Sequence, residues 1–184
     1  MTGRVIWLTV LSSAGKSSIA RALEAEFLRR GARVEVLDGD AIRGKFSRGL
    51  GYSREDRDEN VRRAAYVARL LARHGVTVIV ALISPYRAAR AEARREMESA
   101  GIAFLEVYVN APLEVCAGRD PKGLYEKARR GDLPHFTGVD DPYEEPLAPD
   151  VECRTAEQSV EESAARILRA IDTAVDAARP RRLG

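Results

Sequence analysis

An α/β fold is predicted for this 184-residue chain: a three-layer, doubly wound parallel β-sheet with a small helical lid. Three observations predict it. Segments of strand character alternate with segments of helical period along the chain, the pattern of repeated βα units. One run, Val76 to Ile83, is continuously apolar and rich in Val and Ile, as a parallel strand buried on both faces requires. Between the first strand and the first helix stands Val10-Leu11-Ser12-Ser13-Ala14-Gly15-Lys16-Ser17-Ser18, a tight loop ending in Gly-Lys-Ser. Strand, such a loop, then helix is the context in which backbone amides and a helix N-terminus cradle phosphate.

The length fits one domain over residues 1–184, with room for a lid at about 119–146 but not for a second full domain. A net charge of +2 gives no global basic field, so nucleic acid is not an expected partner. No apolar run reaches the ~20 residues of a membrane span, and the N-terminus has no signal-peptide pattern; the expectation is a cytoplasmic protein without a membrane partner. Cys116 and Cys153 lack metal-ligand spacing and read as buried free thiols. His74 and His135 likewise lack ligand spacing.

Arg4 to Leu8, with Val5, Ile6 and Trp7, is the first strand. Ile19, Ala22, Leu23 and Phe27 recur at helical spacing over about four turns, ending near Gly31. Arg33 to Leu37 is the next strand and delivers Asp38-Gly39-Asp40 at its carboxyl end, where ligands collect in open α/β sheets. As a bare motif Asp-Gly-Asp reads as a helix N-cap. Beside a phosphate loop it reads as carboxylates that order Mg²⁺ or take a hydroxyl proton. Ala41 to Leu50 is expected to be irregular. Ser53 to Asp56 has the form of a capping box opening a helix whose stripe is Val61, Ala64, Ala65, Ala68, Leu71 and Ala72. Arg62, Arg69 and Arg73 read as a solvated face, whereas Arg57 and Asn60 lie in the first turns, where a helix can address an anion.

After the apolar strand comes Ser84-Pro85-Tyr86-Arg87, then a charged helix to Ala100 and a strand from Phe104 to Val109. Pro112 is expected to open a short helix at its first position. Arg119 to Gly131 carries Arg119, Lys122, Lys127, Arg129 and Arg130; in isolation this is a charged surface helix, and beside a phosphate loop it is a lid. Leu133 to Pro149 is expected to be a long ordered loop, Val151 to Cys153 the last strand. Ser159 and Glu162 form a second capping box before a closing helix, and residues 180–184 read as a frayed tail.

Taken together these blocks resemble the adenylyl-sulfate (APS) kinase family over about Val5 to Pro146. Asp38-Gly39-Asp40 with Arg43 resembles the family's D-G-D-N-V-R, and Leu50-Gly51-Tyr52-Ser53 through Asp56-Arg57-Asp58-Glu59-Asn60-Val61-Arg62-Arg63 its L-G-F-S…D-R-x-E-N-I-R-R. Ser84-Pro85-Tyr86-Arg87, Arg119-Asp120-Pro121-Lys122-Gly123-Leu124-Tyr125, Lys127-Ala128-Arg129 and Phe136-Thr137-Gly138 match as they stand, and Tyr143-Glu144 with Pro146 fits Y-E-x-P.

The resemblance implies a P-loop nucleotide-kinase type of fold and transfer of ATP's γ-phosphate to the 3′-hydroxyl of adenosine 5′-phosphosulfate, in sulfate assimilation. It implies Lys16, Asp38, Asp40 and Ser84 as catalytic residues. Ser12, Ser13, Ala14, Gly15, Lys16, Ser17, Ser18 and Arg119 would bind ATP, with Ser17 on Mg²⁺. Asp40, Arg43, Tyr52, Arg57, Asn60, Ile83, Ser84, Lys122 and Phe136 would bind the acceptor, Tyr52 and Phe136 sandwiching its adenine. Ser84 is the position at which the family has been assigned a phosphoserine intermediate; direct in-line transfer needs none. A homodimer is also implied.

The chain departs from the family pattern in three places. The family loop G-L-S-G-A-G-K has glycine where Val10 and Ser13 stand, Ala41 replaces the Asn after Asp-Gly-Asp, and Gly44-Lys45-Phe46-Ser47 replaces H-G-L-N. A positive φ at Val10 would cost a β-branched residue roughly 1–3 kcal/mol and weaken nucleotide binding about ten- to a hundredfold. Ser13 is expected to be mild. Two alternatives therefore accompany the leading reading: a kinase of the same fold with another nucleotide or nucleoside acceptor, and a nucleotide-binding homologue with weakened turnover.

Overall fold

The structure is a computed structural model that describes residues 3–177. The expected tail at 180–184 lies outside them. Five parallel strands form one sheet in the order β2-β3-β1-β4-β5. They are β1 Arg4–Thr9, β2 Val34–Asp38, β3 Thr77–Ala81, β4 Ala103–Asn110 and β5 Val151–Arg154. β1 is central, with Arg4 opposite Thr77 of β3 on one side and Ala103 of β4 on the other. After β1 the chain crosses to β2 and returns to β3; it then passes β1 to reach β4, so the order reverses at β1. Because every strand runs the same way, all five carboxyl ends open on one edge, the edge at which such sheets hold ligands.

Alternation along β1 divides the core in two. Ile6 and Leu8 join Ile19, Leu23 and Phe27 of α1 (Lys16–Arg29) and Ile167 and Ile171 of α7 (Val160–Ala177). Val5 and Trp7 face the other layer, packing with Val61, Ala64 and Ala68 of α3 (Arg54–Arg73) and Ala89, Ala93 and Met97 of α4 (Arg87–Ser99). Alanine dominates the α3 stripe, so that helix can lie close against the sheet. This is the three-layer doubly wound sheet the sequence predicts.

Four expectations need correction. The stretch expected to be irregular after Asp40 contains a helix, α2 (Gly39–Lys45), because Asp38 caps it through Oδ1 to the Asp40 amide at 3.0 Å and Ile42 is buried beneath it. Pro112 stands at the N-cap with ψ 145, one position before α5 (Leu113–Arg119). The charged segment from 119 to 131 is not one helix. Pro121 disfavours helical backbone at Asp120, and the Asp120 carboxylate instead accepts from the Leu124, Tyr125 and Glu126 amides at 2.8, 3.0 and 3.2 Å, starting α6 (Leu124–Arg129). β3 is also shorter than the apolar run that contains it. Past Ala81 the chain leaves the ladder, and the Ile83 carbonyl accepts from the Val10 amide at 3.3 Å and Thr9 Oγ1 at 2.9 Å.

Candidate active site

A cavity of about 970 Å³ lies along the carboxyl edge of the sheet. The phosphate loop forms its floor. Gly15 precedes α1 with φ 103, a left-handed conformation that suits glycine, and the first turn of α1 begins at Lys16. Ser12, Ser13, Gly15, Lys16, Ser17 and Ser18 line the cavity, whereas Ala14 is buried behind it and offers its carbonyl to Thr155 Oγ1 at 2.7 Å. Burial holds the Lys16 ammonium below the usual lysine value, and Asp38 and Asp40 pull it partly back. Ser17 Oγ donates to Asp38 Oδ2 at 3.1 Å.

The loop carries its strain at a different residue from the one the sequence suggests. Val10 is absent from the non-glycine residues with positive φ and is buried in the core at 1% exposure. Ser13 has φ 64, the left-handed region in which a side chain is disfavoured. The Val10 expectation is therefore corrected: the β-branched residue fills the core beneath the loop without distorting it.

Opposite the loop stand the groups delivered by β2 and β3. Asp40 is 76% exposed in its side chain and forms an ion pair with Lys122 of the lid, closing α2 and the lid across the cavity. Arg43 donates to the Gly51 carbonyl at 2.9 Å and lies 4.5 Å from the Tyr52 ring centroid. Arg57 is buried, donates to the Tyr52 carbonyl at 3.0 Å and the His135 carbonyl at 2.6 Å, and is held below the usual guanidinium value by burial and by Arg43. Asn60 Oδ1 is buried with no partner, an acceptor that a bound donor would satisfy. Phe136 is buried edge-on against Tyr125, with ring centroids 4.9 Å apart.

Ile83 and Ser84 line the same cavity, but the Ser84 side chain is committed elsewhere. Ser84 is 3% exposed; its Oγ accepts from Trp7 Nε1 at 2.9 Å and donates to the Leu82 carbonyl at 3.3 Å. Its backbone, at φ 45, is held by Arg90, which donates to the Ser84 carbonyl at 2.6 Å.

Apart from Ala14, the structure gathers the predicted site residues around one cavity. A family model described as adenylylsulphate kinase matches residues 2–154. The chain belongs to this family. An adenylyl-sulfate kinase of Myxococcus xanthus is 59% identical over 166 residues, covering 90% of this chain and 89% of that protein. One of Microcystis aeruginosa is 54% identical over 165 residues, covering 90% and 89%. The solved structure of the Mycobacterium tuberculosis APS kinase in complex with AMPPNP and APS matches with a TM-score of 0.90 at 44% identity, covering 93% of this chain and 98% of that one. The fold is therefore that of a P-loop kinase, and adenylylsulphate kinases act as phosphotransferases with ATP as donor.

For this adenylylsulphate kinase chain, sequence reading missed three side chains that brace the segments around the cavity, of which Thr155 also lines it. Thr155, just past β5, ties the phosphate loop to Arg119, whose Nη2 donates to the Thr155 carbonyl at 2.7 Å. The Tyr125 hydroxyl donates to the Ser12 carbonyl at 2.9 Å, joining the lid to the loop. Arg90 sits among apolar α4 neighbours and forms a buried pair with Glu106 at 2.9 Å. Thr155 could have been found, since the carboxyl end of every parallel strand is a ligand edge. No periodicity in α4 signals Arg90.

Proposed function

We propose that this chain is an ATP-dependent kinase that phosphorylates the 3′-hydroxyl of adenosine 5′-phosphosulfate, giving 3′-phosphoadenosine 5′-phosphosulfate (PAPS) and ADP in sulfate assimilation. The observation that carries this reading is the shared cavity: Lys16 on the phosphate loop and Asp40 on the opposite wall line it together, with Arg43, Arg57 and the orphaned Asn60 oxygen on the acceptor side.

In this reading the loop amides and Lys16 hold the β- and γ-phosphates, and Arg119 lies against the donor. Ser17 Oγ and Asp38 Oδ2 are hard oxygen donors 3.1 Å apart beside that cradle, a set that fits Mg²⁺. When bound there, the ion neutralises phosphate charge. Asp40 accepts the proton of the 3′-hydroxyl as its oxygen bonds to γ-phosphorus and the bond to the β–γ bridging oxygen breaks, leaving ADP. Lys122 pairs with Asp40 across the cavity and holds the carboxylate in place for that task. Arg43 and Arg57 bind the phosphosulfate and ribose; Asn60 offers its free oxygen to the same ligand. Tyr52 and Phe136 flank the adenine. Alignment and charge neutralisation are what phosphoryl transfer chiefly asks of a protein. In this reading Ser84 serves as a wall residue and not as a phosphoryl carrier, because its hydroxyl is buried, gives its proton to the Leu82 carbonyl and accepts from Trp7 Nε1.

The reading extends to a cytoplasmic homodimer, a point of family resemblance. Among the described residues no helix is long and apolar enough to cross a membrane. The test is ADP release measured with ATP and a panel of hydroxyl acceptors. Release stimulated by APS above every other acceptor supports the proposal; turnover with a different nucleoside or a sugar, and none with APS, overturns it.

A further inference from the structure

The two segments shaped like capping boxes differ in a way that points to the acceptor site. Before α7 the box closes in both directions: Glu162 N donates to Ser159 Oγ at 3.1 Å, and Ser159 N to Glu162 Oε2 at 2.7 Å. Before α3 only half of it forms. Asp56 N donates to Ser53 Oγ at 3.2 Å, but the Asp56 carboxylate turns away from Ser53 and accepts from the Gly51 amide at 2.9 Å.

The turn so held, Gly51-Tyr52, is the common anchor of both acceptor-side arginines. Its two consecutive carbonyls accept from Arg43 at 2.9 Å and Arg57 at 3.0 Å, and its Tyr52 ring lies 4.5 and 5.5 Å from their guanidinium carbons. The fit around Gly51 is close. A Cβ there would stand 2.8 Å from Asp56 Oδ2, so a side chain at residue 51 forces the carboxylate to shift from the position in which it holds the amide.

We infer that Asp56 is a positioning residue for the acceptor: through the Gly51 amide it fixes the turn that aims Arg43, Arg57 and Tyr52 into the cavity. It touches no substrate itself. The inference rests on the acceptor site proposed above and adds to it the group that sets the geometry of the arginine pair.

The experiment is steady-state kinetics of wild type, Asp56→Ala and Asp56→Asn with ATP and APS, with thermal melting of each. Loss of the charged hydrogen bond in Asp56→Ala is expected to raise the APS KM about tenfold while the ATP KM stays within about twofold. The melting temperature is expected to fall by no more than about 4 °C, the scale of one carboxylate at a helix N-terminus. Asp56→Asn keeps an acceptor oxygen at the Gly51 amide and is expected to recover most of the APS KM. An unchanged APS KM in Asp56→Ala overturns the inference. So does a parallel rise of both KM values with a large fall in melting temperature that Asn does not rescue, which marks a helix cap alone. A wild-type chain that does not turn APS over overturns the proposed function and this inference with it; turnover by wild type without the KM split overturns the inference alone.

Discussion

Replacing Val10 with glycine restores the residue that phosphate-loop patterns carry at that place, and the structure predicts that the change is harmful. Val10 is 1% exposed and packs in the same core layer as Leu8, Ala14 and Ile19. Its side chain contributes three buried carbons, about 2–3 kcal/mol at ~0.8 kcal/mol each. Glycine adds roughly 0.5–1 kcal/mol through the greater freedom of the unfolded chain. A loss of about 3 kcal/mol corresponds to a fall in melting temperature of about 6–12 °C for a domain of this size. Because Val10 has no positive φ to relieve, the ATP KM is not expected to fall. Differential scanning calorimetry and ATP titrations at saturating acceptor provide both readings. An unchanged melting temperature together with a tenfold lower ATP KM would refute the reasoning, since it would mean that valine distorts the loop after all.

Ser13→Gly is expected to do the opposite: relief of the left-handed φ of 64 stabilises by about 1 kcal/mol and raises the melting temperature by about 2–4 °C, with ATP KM unchanged or lower. Asp40→Ala is expected to lower kcat by a factor of about 10²–10⁴ with little change in melting, because the side chain is 76% exposed; turnover within threefold of wild type would remove its role as base. Burial sets the Lys16 pKa below the ordinary 10.5. The kcat/KM for ATP should therefore fall on an alkaline limb centred below 10.5, as the ammonium that grips phosphate is lost. Between that pKa and 10.5 the unfolded chain binds more protons than the folded one, so Lys16 makes stability of the ligand-free protein rise with pH there; a limb at or above 10.5 contradicts the assignment. Cys116 and Cys153 are buried, and burial pushes the Cys153 thiol up to about 11. Neither thiol is expected to react with a thiol reagent at pH 8 until the protein is denatured, and rapid labelling of the native chain would count against the packing described.

Much of this architecture was legible because the signals were redundant. The β3 run, the loop ending in Gly15-Lys16-Ser17 and the helical stripe from Val61 to Ala72 each specify one element, and together they allow few arrangements besides a parallel sheet with ligands at its carboxyl edge. What escaped reading was set by single local contacts rather than by periodic patterns. The helix α2 depends on the Asp38 cap and on one buried residue, Ile42, too little for a periodic signal. The break between α5 and α6 depends on Asp120 exchanging helical backbone for three amide bonds. In the loop, the choice between Val10 and Ser13 as the strained residue was a matter of φ, which residue type alone does not report. The capping-box pattern at Ser53 to Asp56 was visible, but the diversion of its carboxylate to Gly51 was not, because that depends on the path of the chain before the helix.

The account rests on a triphosphate held at Lys16 meeting a ribose hydroxyl aimed by Asp40 in the same cavity. The most direct test is to follow ATP and APS through a single reaction by phosphorus NMR and to locate the transferred phosphate. The account predicts one ADP for each PAPS, with the new phosphate on the ribose 3′-oxygen. ADP formed without PAPS, or phosphate found on any other atom, would contradict it.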